Sequence, residues 1–174
     1  MSSDPLLTAE MLWGELCYNS HTGIFTRRQD RVGKGRPHKA GDIAGFVHKG
    51  HHYVVISVGS RKYLGHRLAW LYVHGAWPSS RLDHKNCVRH DNRIDNLRLA
   101  THEQNLRNVP KRITNTSGFK GVSYATHCPN RPWRATTRLD GKHVELGFYA
   151  TPEEAHAAYK AAVEKRFGEF ARTA

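Results

Sequence analysis

The sequence predicts a protein of the mixed α+β class, and three observations support this class. Short runs rich in β-branched and aromatic residues, separated by glycine and aspartate, recur through the first eighty residues and are typical of strands. Three more strand-like runs follow residue 117, and an alanine-rich segment with helical spacing begins after Thr151. Strands followed by a separate helix are typical of α+β architecture, and 174 residues suffice for one ordinary domain or two small ones.

The N-terminal strand candidates are "GIFTRR", "GDIAGFV", "HHYVVISVG" and "RKYLGHRLAWLYVHG". The last of these is expected to become helical, because Leu68, Leu71 and Tyr72 share a helical face before Gly75. Between the first two candidates, the polar and basic segment "RRQDRVGKGRPHK" is expected to form a loop that could lie along a phosphate backbone.

Composition points to a polyanionic partner. The chain carries 27 Lys and Arg against 15 Asp and Glu, a formal net charge of +12, which favours nucleic acid ahead of an anionic membrane. No apolar run approaches the roughly 20 residues of a membrane helix, and the N-terminus lacks the pattern of a signal peptide, so a cytoplasmic location is expected. Three widely spaced cysteines predict neither a disulfide framework nor a thiolate zinc site.

The stretch "LDHKNCVRHDNRIDNLRLATHEQN", residues 82–105, contains the candidate chemistry. Adjacent residues of a strand point to opposite faces, so Asp83 and His84 suit different roles: Asp83 as an oxygen ligand of a hard cation, His84 as a proton acceptor. Thr101 and Gln104 form a capping-box pattern, which predicts a helix with Asn105 near its first turn. Oxygen ligands alone favour Mg²⁺ or Mn²⁺ over zinc. Taken alone, an Asp-His pair among asparagines is more often a surface pair beside turns.

The fuller pattern resembles the HNH, or ββα-metal, motif of phage and intron-encoded homing endonucleases. It comprises "HRLAW" from His66, "DH" at Asp83 and His84, "DNRIDNLRLAT" from Asp91, and "QN" ending at Asn105. The resemblance implies that His84 is the general base, that Asp83 and Asn105 bind Mg²⁺ or Mn²⁺, and that Asn96 holds the loop and the base. It leaves the roles of His66, His90 and His102 open.

A basic linker is expected at residues 109–116, between a nuclease domain at 1–108 and a second domain at 117–174. The second domain is predicted to contain "GFKGVSYA", "PWRATTRLDG" and "KHVELGFYA" as a three-stranded antiparallel sheet, with a helix starting at Thr151 and its capping residue Glu154. The helix presents a small-residue stripe of Ala155, Ala158, Tyr159 and Ala162, suited to close packing on the sheet.

The second domain resembles the Apetala-two (ethylene-response-factor) DNA-binding domain, through Gly121, Val122, Trp133, "LG" at Leu146 and the segment "TPEEAHAAY". This family lays its sheet in the DNA major groove, and alternation in "WRATTRL" turns Arg134, Thr136 and Arg138 away from the helix. The residues expected to contact DNA, from linker and sheet, are Arg107, Lys111, Arg112, Lys120, Ser123, Arg134, Thr136, Arg138, His143 and Glu145.

The sequence therefore predicts a metal-dependent HNH endonuclease of the homing type, which hydrolyses double-stranded DNA at sites chosen by its C-terminal domain. No obligatory protein partner and no membrane is expected. The alternative is a sequence-specific DNA-binding regulator that does not cleave. Damage at Asp83, His84 or Asn105 would indicate that alternative, and all three residue types are intact.

Overall fold

The structure is a computed structural model that describes residues 7–32, 37–109 and 114–171. The chain forms two compact units, Met1–Ala100 and Thr101–Ala174, and each is described by itself. The predicted mixed α+β class is confirmed, with several small sheets and four α-helices among the described residues. The domain limits 1–108, 109–116 and 117–174 stay a prediction.

The described residues of the first unit form two α-helices and three small antiparallel sheets. In chain order its elements are α1 (Ala9–Glu15), β1 (Leu16–Asn19), β2 (Ile24–Arg27), β3 (Phe46–Val47), β4 (Val54–Val58), β5 (Arg61–Leu64), α2 (Gly65–His74), β6 (Arg81–His84) and β7 (Leu97–Ala100). Strand β1 pairs with β2, β6 pairs with β7, and β4 lies between β3 and β5. A single 3-10 turn, Ile94–Asn96, leads directly into β7.

Two N-terminal predictions were incomplete. Helix α1 was not predicted; it begins where the Thr8 side chain accepts a hydrogen bond from the Met11 backbone N–H, and it is too short for a clear periodic signal. In "GDIAGFV" only Phe46–Val47 forms a regular strand, because Ile43 makes just an isolated bridge to Thr26. The predicted helix before Gly75 is confirmed as α2, and Gly75 ends it in the left-handed conformation.

The core of the first unit joins its helices to its sheets. Leu12 of α1, Phe25 of β2, Ile56 of β4 and Leu68 of α2 are all at least 98% buried and belong to one apolar cluster. Burying a side chain of this kind contributes about 1.5–3 kcal/mol relative to leaving it exposed. Leu97, the first residue of β7, belongs to the same cluster, so the core anchors the β6–β7 hairpin.

The second unit begins with α3 (His102–Arg107), whose capping box between Thr101 and Gln104 is confirmed. A three-stranded antiparallel sheet follows, formed by β8 (Val122–Tyr124), β9 (Trp133–Leu139) and β10 (Lys142–Tyr149), with β9 in the centre. Helix α4 (Pro152–Phe167) then starts at Thr151 as predicted. None of the helices in the described residues is long and apolar enough to span a membrane.

The buried stripe of helix α4 agrees with the predicted one only at Ala155 and Tyr159. Ala155, Tyr159, Val163 and Phe167 are buried, whereas Ala158 and Ala162 are only half-buried. The reason is that the large apolar side chains repeat every four residues from Ala155, and they bury more apolar area than alanine does. The Glu154 carboxylate accepts from the Ala150 N–H, one residue before the predicted capping-box partner.

Candidate active site

The residues predicted to act as metal ligand and general base are both buried at the end of strand β6. Asp83 and His84 are the last residues of β6, and their exposed fractions are 7% and 5%. In the antiparallel register Asp83 lies opposite Arg98, and His84 lies opposite Leu97. Polar residues are rarely buried side by side at the end of a strand. A buried acid or imidazole is stable only when hydrogen bonds or an ion pair compensate for the loss of water.

Arg98 is the partner of Asp83. Its Nε and Nη2 atoms each lie 2.9 Å from Oδ2 of Asp83, and both side chains are about nine-tenths buried. The guanidinium stabilises the ionised carboxylate and fixes the orientation of one oxygen. Arg98 has no predicted role in the sequence; the signal that identifies it is its position opposite Asp83 in the register of the hairpin.

His84 lies among aromatic rings. Its ring centroid is 5.8 Å from that of Tyr53 and 5.1 Å from that of His66, and the Arg89 guanidinium lies 5.3 Å from the Tyr53 ring centroid. Burial lowers the pKa of His84, while a hydrogen bond with Asn92 acts in the opposite direction. A lowered pKa keeps the imidazole neutral at physiological pH, which is the form able to accept a proton.

His66 lies in the apolar wall behind His84. Burial, with a smaller contribution from His84, lowers the pKa of His66 to about 3. Its Nδ1 atom is buried and has no hydrogen-bond partner within the described part of the chain. His66 is therefore neutral at physiological pH and adds no positive charge next to His84.

Asn96 joins both ends of the loop 85–96 between the two strands. Its Nδ2 donates to the Asp91 carbonyl at 2.8 Å, and its Oδ1 accepts from the Asn86 N–H at 3.0 Å. The backbone adds bonds from the Lys85 N–H to the Asn96 carbonyl and from the Cys87 N–H to the His84 carbonyl. One buried amide side chain thus holds the loop that follows His84, although its part in catalysis stays a prediction.

Residues of β1 and α2 contact the same loop and restrict its position. The Tyr18 hydroxyl donates to the Asn92 carbonyl at 2.7 Å, and burial raises the pKa of Tyr18 to about 12, so the hydroxyl keeps its proton. Gly65, at the start of α2, approaches so closely that a Cβ there would lie 2.7 Å from Nδ2 of Asn92. Tyr18 and Gly65 therefore restrict where Asn92 can lie.

An open polar groove of about 500 Å³ borders this loop. Lys85, Asn86, Arg93 and Asn96 lie on its sides, together with His21 from the β1–β2 turn. The Arg93 guanidinium is held by the Asp91 carboxylate at 2.7 Å. The groove therefore offers a cation and amide groups next to the hairpin, which are groups that bind phosphate oxygens.

Asp83 and Asn105, the two residues predicted to bind a metal ion, lie on different elements. No three His, Cys, Asp or Glu side chains come together as a metal site within residues 7–32, 37–109 and 114–171. Asp83 supplies a carboxylate, whose Oδ2 lies 2.9 Å from both Nε and Nη2 of Arg98. Asn105 is a half-exposed residue of α3 in the second unit, so its pairing with Asp83 on one ion stays a prediction.

The residues predicted to contact DNA from the sheet share one of its faces. Ser123 pairs with Arg134, Glu145 with Thr136 and His143 with Arg138, and paired residues project to the same side. The opposite side of β9 carries Ala135 and Thr137, which are buried as the predicted alternation requires. An open groove of about 640 Å³ runs beside this face, bordered by Lys120, Ser123, Thr136, Arg138 and His143.

Three of the residues predicted to contact DNA differ in how exposed their charged groups are and in whether those groups already have a hydrogen-bond partner. Arg138 is exposed, whereas Arg134, expected to be free for DNA, is half-buried, with an Nε atom that is covered and has no hydrogen-bond partner among the described residues. Lys120 donates from Nζ to the Val109 carbonyl at 2.6 Å, so its ammonium is partly engaged. Lys111 and Arg112 lie outside the described residues, as does the side chain of Arg107.

Comparison with known proteins assigns the family. A family model described as HNH endonuclease matches residues 63–107, the segment that contains Asp83, His84, Asn96 and Asn105. Protein 3.8 of Escherichia phage T7 is 30% identical over 105 residues, which cover 54% of this chain and 85% of the phage protein. The chain belongs to the family of this phage protein. No solved structure matches the chain.

The HNH match indicates a nuclease, with DNA as the substrate class and a general dependence of such enzymes on divalent metal. The matched residues include all of α2, β6, β7 and α3. The Apetala-two resemblance receives no support from these comparisons, so the role of the C-terminal sheet remains a proposal.

Proposed function

We propose that the protein is a metal-dependent DNA endonuclease of the HNH homing type, encoded by a phage and active in the host cytoplasm. The observation that carries the proposal is the buried pair at the end of β6, inside the segment that matches the HNH family. There a neutral His84 follows an Asp83 whose charge is held by Arg98.

His84 acts as the general base. Hydrolysis of a phosphodiester needs a water molecule that loses its proton as it attacks phosphorus, and a neutral imidazole can accept that proton. The ring keeps its orientation because Tyr53 and His66 pack around it and Asn92 hydrogen-bonds to it. Asn96 positions the loop after the base through its bonds to Asn86 and Asp91.

Asp83 and Asn105 would hold Mg²⁺ or Mn²⁺, since a carboxylate and an amide provide the oxygen ligands that these ions prefer. Such an ion supplies charge neutralisation at the phosphate and at the leaving oxygen. Arg98 fixes the orientation of the Asp83 carboxylate through their ion pair, and Lys85 and Arg93 place cationic groups in the groove beside the loop. One such site attacks one strand, so a single copy nicks the duplex.

The C-terminal sheet chooses the site. Its face with Ser123, Arg134, Thr136, Arg138, His143 and Glu145 carries both charged and polar groups, and a two- or three-stranded ribbon fits the major groove. Arg138 is the strongest candidate for a guanine contact because its side chain is exposed. Arg134 contributes after a rearrangement of its half-buried guanidinium. Arg107 at the end of α3 and the linker residues Lys111 and Arg112 contact phosphates.

A plasmid and phage-DNA cleavage assay with magnesium tests the enzyme. His84→Ala should reduce the rate by about 10²–10⁴-fold, the usual contribution of a general base. His74→Ala is the matched control, because His74 is an exposed histidine at the end of α2 in the same unit, and it should cleave like the wild type. Sequence-specific binding without any metal-dependent cleavage by the wild type would instead support a non-cleaving regulator.

A second assay addresses site choice. Arg134→Ala with Arg138→Ala should flatten the preference for particular cleavage sites, because bidentate base contacts contribute about 1–3 kcal/mol each. Some unspecific nicking should remain, since neither residue lies in the nuclease unit. The matched control is Arg131→Ala with Lys160→Ala, which removes two charges from exposed positions outside that face. An unchanged cleavage map in the first double variant would remove both arginines from recognition.

A further inference from the structure

The outer face of the β3–β4–β5 sheet forms a basic groove, defined here by Arg27, Arg31, Ser57 and Lys62 and called the N-terminal groove. Its volume is about 670 Å³. It lies on the first unit, separate from the β6–β7 hairpin residues Asp83 and His84, neither of which lines it. Its Arg27 and Arg31 belong to the basic segment "RRQDRVGKGRPHK", which is expected from the sequence to lie along a phosphate backbone, whereas Ser57 and Lys62 carry no such expectation.

Strand alternation explains why this face is polar. Along β4, Ile56 and Val58 belong to the apolar core, so Ser57 projects to the other side and forms part of the groove floor. Lys62 of β5 is the register partner of Ser57 and projects to the same side. A small hydroxyl beside a lysine leaves room above the sheet, and both groups donate hydrogen bonds to anions.

Two arginines border the floor. Nη1 of Arg27 donates to the Ser57 carbonyl at 3.0 Å, which orients this guanidinium along the groove. Burial lowers the pKa of Arg27, and the nearby Arg31 acts in the same direction, while Glu15 opposes both. Both guanidinium groups line the same groove, so an anion bound there would be stabilised by their positive charges.

Two acids near the groove accept hydrogen bonds from backbone N–H groups. Among the described residues that line the groove, Asp42 is the sole acid, and its Oδ2 accepts from the Lys39 N–H at 2.8 Å. The Glu15 carboxylate accepts from the Gly59 N–H in the β4–β5 turn at 3.2 Å. Ser60 follows Gly59 and places a second exposed hydroxyl at the mouth of the groove.

We infer that the N-terminal groove binds the phosphate backbone of duplex DNA, and so adds a sequence-independent contact surface to the nuclease unit. This inference rests on the proposed function, since DNA is taken to be the substrate. Arg31 and Lys62 provide exposed charge, Arg27 a fixed guanidinium, and Ser57 and Ser60 hydroxyl donors. Contacts of this kind position a protein on DNA without selecting a sequence.

The test measures DNA binding apart from cleavage, in the full chain carrying His84→Ala. Fluorescence anisotropy with a labelled duplex gives Kd over a range of potassium chloride concentrations. Adding Arg31→Ala and Lys62→Ala should weaken binding by roughly tenfold per lost contact at about 0.1 M salt. The slope of log K against log salt should fall by about 2, since each phosphate contact contributes about 0.9.

The matched control adds Arg28→Ala and Lys49→Ala, which remove the same charge from exposed positions that do not line the groove. This control should bind more tightly and keep a steeper salt slope than the groove variant. A further variant, Ser60→Glu, introduces a negative charge at the exposed turn without removing any cation, and it should also weaken binding.

The outcomes separate the two proposals. If the His84→Ala parent fails to bind duplex DNA, the proposed function itself fails. If the parent binds, but the groove variant and Ser60→Glu keep the Kd and the salt slope of the control, the groove is not a DNA contact. Selective weakening of both groove variants, with unchanged thermal melting, supports the inference.

Discussion

Replacing Asn96 by alanine tests how the loop beside the base is held. The substitution removes two hydrogen bonds, from Nδ2 to the Asp91 carbonyl at 2.8 Å and from the Asn86 N–H to Oδ1 at 3.0 Å. The loss of each bond costs about 1 kcal/mol net, or about 2 kcal/mol where the buried partner is left unsatisfied. Because Asn96 is 7% exposed, the free energy of unfolding should fall by about 2–4 kcal/mol.

Urea unfolding measures that loss, and amide exchange locates it. With a urea dependence of about 2 kcal/mol per molar, the unfolding midpoint of the first unit should fall by about 1–2 M. The Asn86 amide should also exchange faster with solvent, because its acceptor is gone. Asp95→Ala is the control: it is an exposed neighbour in the same turn, and it should change stability by less than about 0.5 kcal/mol.

An Asn96→Ala protein with the midpoint of the Asp95→Ala control and an unchanged Asn86 exchange rate would refute this explanation. The loop would then be held by its backbone bonds and by Tyr18, without help from the Asn96 side chain.

Two further predictions concern the groups behind the site. The pKa of His66 is about 3 in the folded protein, against 6.5 for an unperturbed histidine. The unfolded chain therefore binds a proton at His66 more readily than the folded protein does. The stabilising contribution of His66 is complete above pH 6.5 and is lost as pH falls towards 3. Urea unfolding should show that the wild type loses roughly 2 kcal/mol more than His66→Leu between pH 7 and pH 5; equal losses would contradict the shift. Arg98→Ala should lower stability by about 3–5 kcal/mol, because it leaves the buried Asp83 carboxylate without its guanidinium. The added change Asp83→Asn should recover part of that loss in the same unfolding assay, and no recovery would argue against the ion pair as the cause.

Sequence patterns spanning only a few residues were sufficient to predict some of the helices and strands. Thr101 with Gln104, and Thr151 before Pro152, mark two helix starts because a capping side chain bonds to backbone groups only three residues away. Alternation in "WRATTRL" likewise indicated which side chains of β9 face the helix, and Ala135 and Thr137 are indeed buried. In each case the deciding interaction lies within a few residues of the chain.

Other features depend on contacts that the sequence does not place. Arg98 becomes the partner of Asp83 only through the hairpin register, and Tyr53 reaches His84 from a segment about thirty residues earlier. The half-burial of Arg134 depends on packing by neighbouring strands, which alternation alone does not include. Helix α1 is stabilised mainly by burying Leu12 in the core, and a helix this short is marginal by itself.

The central claim is that the imidazole of His84 accepts the proton of the attacking water. The most direct measurement is the DNA cleavage rate of His84→Gly, with and without added imidazole, in magnesium-containing buffer. We expect a rate about 10²–10⁴-fold below that of the wild type, and a dose-dependent increase when imidazole fills the space left by the side chain. Wild-type cleavage by His84→Gly in the absence of imidazole would contradict the claim.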